Sequence, residues 1–467
     1  MCPTWSKNKA QTYLDDASVL LQGRNSQISN HIIVRLLDGP SCACNTLAMQ
    51  IDQKSPTTAS VFSDLRTRAV DVFMAGVREA DPADGVEQAL SGKSFNRPTI
   101  ISVGKAGVSM AEAAMRKVQA ETVVVVTNYE NARPLEGAEV RAASHPIPDD
   151  EGARAALRVE EALCMAKGDV IALISGGGSA LLPAPVNGVS LEDKAKVNAL
   201  LIASGADIVM MNLIRQQLSR LKGGGFLRAA APSHVTTLVL SDVVDDDLRA
   251  IASGPSVSPI GSRADAVAAL KSLKVWNRLP SSVREHLMKP ESNLGPLPES
   301  ETILVGSNRR SVSAMARASG GGKAKGVHVF PAPLTGDVDE AAHVILDCVK
   351  EKGIYLFGGE TTVKLAGKGL GGRNQELALR VARLAGERGL EDYVFLSGGT
   401  DGRDGPTDAA GGLVDSTTLS RLKDAGVDID DVLARNDSYH GLEAVGDLLK
   451  IGATGTNVAD LQVLILP

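Results

Sequence analysis

The sequence predicts an α/β fold of two domains, and three observations carry that expectation. Short apolar, β-branched runs recur along the 467 residues; glycine-rich turns follow several of them; helical stretches lie between one run and the next. The runs are Pro98–Val103 (PTIISV), Val123–Thr127, Val170–Ile174, Val235–Leu240, Ile303–Val305, Ile354–Phe357 and Tyr393–Leu396. They are nearly continuously apolar, not alternating, which indicates burial on both faces and hence parallel sheets covered by helices. Helical stretches include Val108–Gln119, Gly152–Ala166 and Asn374–Leu384, with another near Asp64–Ala80. The expected arrangement is three-layered and doubly wound.

At roughly 150 residues per domain the length suggests two to three domains. Pro290–Ser300 (PESNLGPLPES) is the best boundary, because clustered prolines interrupt both helix and strand. It divides a larger, Rossmann-like N-terminal domain (64–296) from a smaller C-terminal α/β domain (301–465). Residues 1–60 read as an atypical, poorly ordered extension: they hold Trp5, Cys2, Cys42 and Cys44 but no sustained period.

Composition excludes several classes. Hydrophobic residues make up 43% and charged residues 22%, which is ordinary globular usage. Lys and Arg total 49 against 55 Asp and Glu, so the net charge of −6 argues against nucleic acid or an acidic membrane as partner. No apolar run reaches the roughly 18–20 residues that span a bilayer. Five cysteines, sparse and odd in number, do not describe a disulfide framework. A reducing, cytoplasmic setting is expected, with no readable secretory signal.

In such sheets ligands bind at the carboxyl ends of the strands. There the chain carries Gly104-Lys105-Ala106-Gly107, Ser175-Gly176-Gly177-Gly178-Ser179, Ser241-Asp242, Gly358-Gly359-Glu360 and Ser397-Gly398-Gly399-Thr400-Asp401. Three Gly-Gly turns flanked by hydroxyl residues, spread over both domains, point to an anion held between the domains. The standard phosphate motifs fail. Gly92-Lys93-Ser94 lacks the P-loop's first glycine, where Glu87 stands, and the dinucleotide fingerprint beginning at Gly176 ends on Leu181. Lys105, flanked by glycines after a buried strand, is the most telling cation. Arg373, in a glycine-rich loop ahead of a helix, suits bidentate binding of carboxylate or phosphate. His145 and His440 lie in polar turns without a triad around them.

Together these strings resemble the glycerate 2-kinase family, two-domain enzymes whose C-terminal half is called the MOFRL domain. The matching segments include SVGKAG (102–107), SHPIPDDEG (144–152), LISGGGSALLPAP (173–185), LSRLKGGG (218–225), GGETTV (358–363), GKGLGGRNQELAL (367–379), GTDGRDGPTDAAG (399–411) and TGTNVADL (454–461). The resemblance implies ATP-dependent phosphorylation of D-glycerate at its 2-hydroxyl, with Mg²⁺, in a cleft between the domains. It puts the family's active-site lysine and arginine on Lys105 and Arg373. Ser175, Gly176, Gly177, Gly178, Ser179, Asp242, Glu360 and Asp401 are then the expected substrate or nucleotide contacts, with Asp242, Glu360 and Asp401 as unranked candidates for the metal. An NAD(P)H-dependent hydroxypyruvate reductase is the alternative, and a homo-oligomer is left open. Two departures stand out: Asp245 occupies a position where the family usually has glycine, and Gln216-Gln217 replaces a cationic run.

Overall fold

The computed structural model describes residues 58–291, 295–320 and 326–467. Residues 1–57 of the expected N-terminal extension, its three cysteines included, lie outside the described residues, while 58–60 already belong to helix Thr58–Glu79.

Six parallel strands form the first sheet: β1 (Thr99–Val103), β2 (Thr122–Asn128), β3 (Glu139–Ala143), β4 (Val170–Ile174), β5 (Val235–Leu240) and β6 (Ser300–Gly306), in the order β3-β2-β1-β4-β5-β6. Alternate residues of β1 show why the runs read as continuously apolar. Ile101 and Val103 pack toward helix Asp150–Cys164, while Ile100 packs toward helices Pro82–Leu90 and Gly107–Lys117. Every residue of β1, β4 and β5 is buried. The order reverses between β1 and β4, which opens a crevice at their carboxyl ends.

The second sheet comprises β7 (Val327–Val329), β8 (Leu334–Asp337), β9 (Gly353–Thr362), β10 (Val394–Gly399), β11 (Gly411–Asp415), β12 (Leu448–Leu449) and β13 (Asp460–Leu466). It corrects the expectation of parallel pairing: β9, β13, β10, β11 and β12 run antiparallel in turn, and only β7 and β8 join β9 in parallel. Helices cover both faces, so these antiparallel strands are as uniformly apolar as parallel ones. Tyr355, Phe357, Phe395 and Leu464 face helices Val338–Asp347 and Arg373–Glu387. Leu356, Leu396, Leu461 and Val463 face helices Thr58–Glu79 and Asn308–Ala318. Each large apolar side chain buried there contributes roughly 1.5–3 kcal/mol.

The sheets do not divide at the proline-rich segment 290–300. Strand β6 follows that segment yet completes the first sheet, because Ile303 and Leu304 pair with Leu238 and Val239. Helix Thr58–Glu79 precedes the first sheet in sequence but packs on the second. Arg66 anchors it there, with Nη1 2.6 Å from Asp415 Oδ2 and Nη2 2.7 Å from Asp447 Oδ1. Between β4 and β6, helices Leu191–Ala203, Ile208–Gln217, Arg263–Ser272 and Ser281–Met288 build a small core of their own around Leu201, Ile214, Leu270 and Val283. Among the described residues no helix is long and apolar enough to cross a membrane.

Candidate active site

The turn after β1 exists because glycine stands at 104. Its φ is +127°, and a Cβ there would lie 2.2 Å from Ser175 Oγ. The close approach lets the turns after β1 and β4 lock together: Lys105 N donates to Gly176 O (2.8 Å) and Ala106 N donates to Ser175 Oγ (3.1 Å). Lys105 is thereby held at the crevice. Beside it, Gly176 admits Asp242 from the end of β5; a Cβ on Gly176 would lie 2.1 Å from Asp242 Oδ2.

The second sheet presents its own groups to the same space. Glu360 lies near the end of β9, Arg373 opens helix Arg373–Glu387, and Asp401 follows β10. Lys105, Asp242, Glu360, Arg373 and Asp401 all line one cavity of about 170 Å³, with Asn457 and Asp460 beside them. Five expected residues from two sheets therefore converge, and the cleft between the sheets is where they do so.

The hydroxyls of the Ser175–Ser179 turn do not reach the cavity lining. Ser175 Oγ is fully buried and serves the lock between β1 and β4. Ser179 Oγ bonds Ser253 Oγ at 2.8 Å, and its carbonyl accepts from buried Lys222 Nζ at 2.9 Å. Gly177 sits against His145 and Lys105, and Gly178 against Ala252. Their contribution to the crevice is backbone, not side chain.

Electrostatics tune the acids. Burial raises the Asp242 carboxyl above its usual range, against the pull of Lys105. Burial also raises Glu360, with Asp460 and Asp242 adding and Arg373 and Lys105 opposing. Asp460 is fully buried and raised for the same first reason. Burial works against the charge of Arg373, but Asp460 outweighs it by accepting Nε at 2.6 Å and Nη2 at 3.0 Å, and Glu360 Oε1 lies 3.1 Å from Nη1. The His145 pKa is lowered by burial and then by the charge of Lys105.

Sequence reasoning did not single out Asp460 or Asn457, although both stand in TGTNVADL. The available signal was an acid opening the mostly apolar run Asp460–Leu466 (DLQVLIL), since a carboxylate buried in a strand needs a partner. His440 takes a local role, with Nδ1 2.7 Å from Asp437 Oδ1. At the departure from the family pattern, the left-handed residue is Asp246 (φ +55°), not Asp245, which is exposed. Gln216 and Gln217 tie down the segment 253–261 beyond β5: Gln216 Nε2 donates to Ser253 O (3.1 Å) and Gln217 Nε2 to Gly261 O (2.7 Å).

Among the described residues no group of three or more His, Cys, Asp or Glu side chains is arranged to hold a metal ion by itself. The donor set still fits Mg²⁺, which keeps several waters and takes one or two carboxylates together with substrate phosphates. Glu360 and Asp401 on one cavity wall supply such carboxylates.

A domain of unknown function (DUF4147) matches residues 68–288 and the MOFRL family matches residues 353–460. The chain is 36% identical over 436 residues to a protein of Pyrococcus horikoshii named glycerate 2-kinase, covering 86% of this chain and 98% of that one. A protein of Agrobacterium vitis, provisionally named hydroxypyruvate reductase, is 36% identical over 430 residues, covering 87% of this chain and 96% of that one. The crystal structure of a glycerate kinase from Thermotoga maritima superposes with a TM-score of 0.81 at 34% identity, covering 87% of this chain and all of that one. With both sequence domains matched, the chain belongs to the glycerate 2-kinase family.

Proposed function

We propose that this protein is a glycerate 2-kinase, transferring the terminal phosphoryl group of ATP to the 2-hydroxyl of D-glycerate. One observation carries the reading: Lys105 from the first sheet and Arg373 from the second line a single cavity together with four carboxylates, Asp242, Glu360, Asp401 and Asp460. Phosphoryl transfer asks a protein mainly for positioning and for neutralisation of charge on the equatorial oxygens. Two cations on opposite walls supply that neutralisation.

In this reading Lys105 faces the transferring phosphoryl group. Arg373 presents the part of its guanidinium not taken by Asp460 to the same group or to the glycerate carboxylate. Asp242 receives the hydroxyl proton; its burial-raised pKa makes it a stronger base than an ordinary aspartate. Glu360 and Asp401 would hold Mg²⁺. When bound, the ion neutralises charge on the phosphate oxygens. Because the two cations sit on different sheets, small relative motion of the two halves gates the chemistry.

The reductase alternative gains no support from the site. The glycine string after β4 has Leu181 at the third fingerprint position, where a dinucleotide site needs glycine or alanine. Purified protein incubated with ATP, Mg²⁺ and D-glycerate should release ADP, and should not oxidise NADH or NADPH with hydroxypyruvate. Reduced-cofactor consumption without ADP release would reverse the assignment.

A further inference from the structure

Helix Arg373–Glu387 begins without a side-chain cap of its own, because Gly372 holds the N-cap position. The missing acceptor comes from another loop. Asp404 Oδ1 takes Asn374 N (3.2 Å), and Asp404 Oδ2 takes Gln375 N (2.9 Å) and Gln375 Nε2 (3.1 Å). Asn374 Nδ2 adds a longer contact at 3.4 Å, and Gln375 Nε2 also reaches Asp404 O. The backbone N–H groups of Asn374 and Gln375 are the donors that an N-cap side chain normally satisfies.

The fit between the two loops is close. A Cβ on Gly372 would lie 2.3 Å from Asp404 Cγ, so glycine is required where the carboxylate crosses the chain. Asp404, Asn374 and Gln375 are all buried, and Ser397 Oγ donates to Asn374 Oδ1 at 2.6 Å. Arg373 is thus fixed at both ends. Its main chain opens the helix that Asp404 caps, and its guanidinium is seated on Asp460.

We propose that Asp404 is a positioning residue for Arg373, holding the start of its helix so that the guanidinium faces the cleft. The inference rests on the glycerate 2-kinase reading and deepens it. Asp404 touches neither the cavity lining nor, in this account, the substrate; it acts through residue 373. Its environment supports a role beyond stability. Burial raises its carboxyl to about 6, with Asp460 adding to the rise and Arg373 and the capped N–H groups opposing. A carboxylate kept where burial penalises its charge fits a group retained for geometry.

The test is a double-mutant cycle. Asp404→Asn is made in the wild-type protein and in Arg373→Lys, which keeps a cation but loses the planar fork that Asp460 grips. kcat/KM for D-glycerate should fall about tenfold or more in the wild-type background and no more than about threefold in Arg373→Lys. The thermal midpoint of the single variant should stay within a few degrees of wild type. Equal fold losses in both backgrounds, or no loss in wild type, would overturn the positioning role. If Asp404→Asn fails to fold, Asp404→Glu enters the same cycle, since it keeps the charge but displaces the carboxylate by one methylene. A wild-type protein with no glycerate turnover would instead sink the activity on which the inference stands.

Discussion

Arg373 and Asp460 meet through two contacts, Nε to Oδ2 at 2.6 Å and Nη2 to Oδ1 at 3.0 Å, with the carboxylate fully buried at the first residue of β13. β13 lies at the middle of the second sheet, between β10 and β9. The guanidinium is therefore referred to a strand paired on both sides. Asp460→Asn leaves one acceptor where two are needed and removes the buried countercharge. kcat should fall at least about tenfold. Stability should drop by roughly 1–3 kcal/mol, the usual cost of losing a hydrogen bond to a charged group. Steady-state kinetics and urea denaturation measure the two effects; unchanged kcat would detach Arg373's orientation from Asp460.

Lys105 stands on the opposite wall, held by its backbone to Gly176. Its side chain lines the cavity and belongs to no ion pair among the described residues. Lys105→Ala should therefore abolish phosphoryl transfer, by about a thousandfold or more in kcat, and leave the thermal midpoint within about 2–3 °C of wild type. Full retained activity would remove Lys105 from the chemistry.

Gly176 makes room for Asp242. The added methyl of Gly176→Ala would meet Asp242 Oδ2 at 2.1 Å, so the carboxylate must turn away from Lys105 or the two turns must separate. Either response disturbs the base and the cation together. Turnover should fall by about tenfold or more at a stability cost of roughly 1–3 kcal/mol for overpacking. A variant with wild-type kcat would show that Asp242's position is not critical.

Asp404 gives a pH signature opposite in sign to that of an ordinary surface carboxylate. Its carboxyl is raised from 3.8 to about 6 by burial, so between those values the folded chain holds the proton and the unfolded chain does not. This group's contribution to stability is thus greatest in acid, falls as pH rises from about 4 to about 6, and is flat above that. Asp404→Asn does not titrate. The unfolding free energy of wild type relative to the variant should decline across that window by at most about 3 kcal/mol. Denaturation of both proteins at several pH values measures this; a difference that rises with pH would contradict the burial argument.

Much of this organisation was legible in the chain, for physical reasons. Strand β1 and the glycines around Lys105 announce a turn that brings a cation to a sheet end, and Gly371-Gly372 ahead of Arg373 does the same in the second half. Asp242 and Asp401 follow strands and Glu360 lies near the end of one, so all three had to lie at the same kind of edge. Strand direction was not legible in the second sheet, because helices on both faces erase the alternation that marks antiparallel pairing. The allocation of β6 and helix Thr58–Glu79 escaped for a related reason: both are joined to their sheets by long-range packing, not by a local signal. The Ser175–Ser179 turn was expected to offer an anion its backbone N–H groups; its two hydroxyls are spent on Ala106 N and on Ser253. Asp404 is one of three acids within GTDGRDGPTDAAG (399–411), and its partners lie thirty and twenty-nine residues away, at Asn374 and Gln375.

The most direct measurement is the position of the transferred phosphate. Product formed from ATP, Mg²⁺ and D-glycerate is passed straight to enolase, which consumes 2-phosphoglycerate without a mutase. Immediate enolase turnover, lost in Lys105→Ala and in Arg373→Ala, is the predicted result. ADP release with no enolase signal until a mutase is added would contradict transfer to the 2-hydroxyl. No ADP release from the folded wild-type protein would contradict the kinase itself.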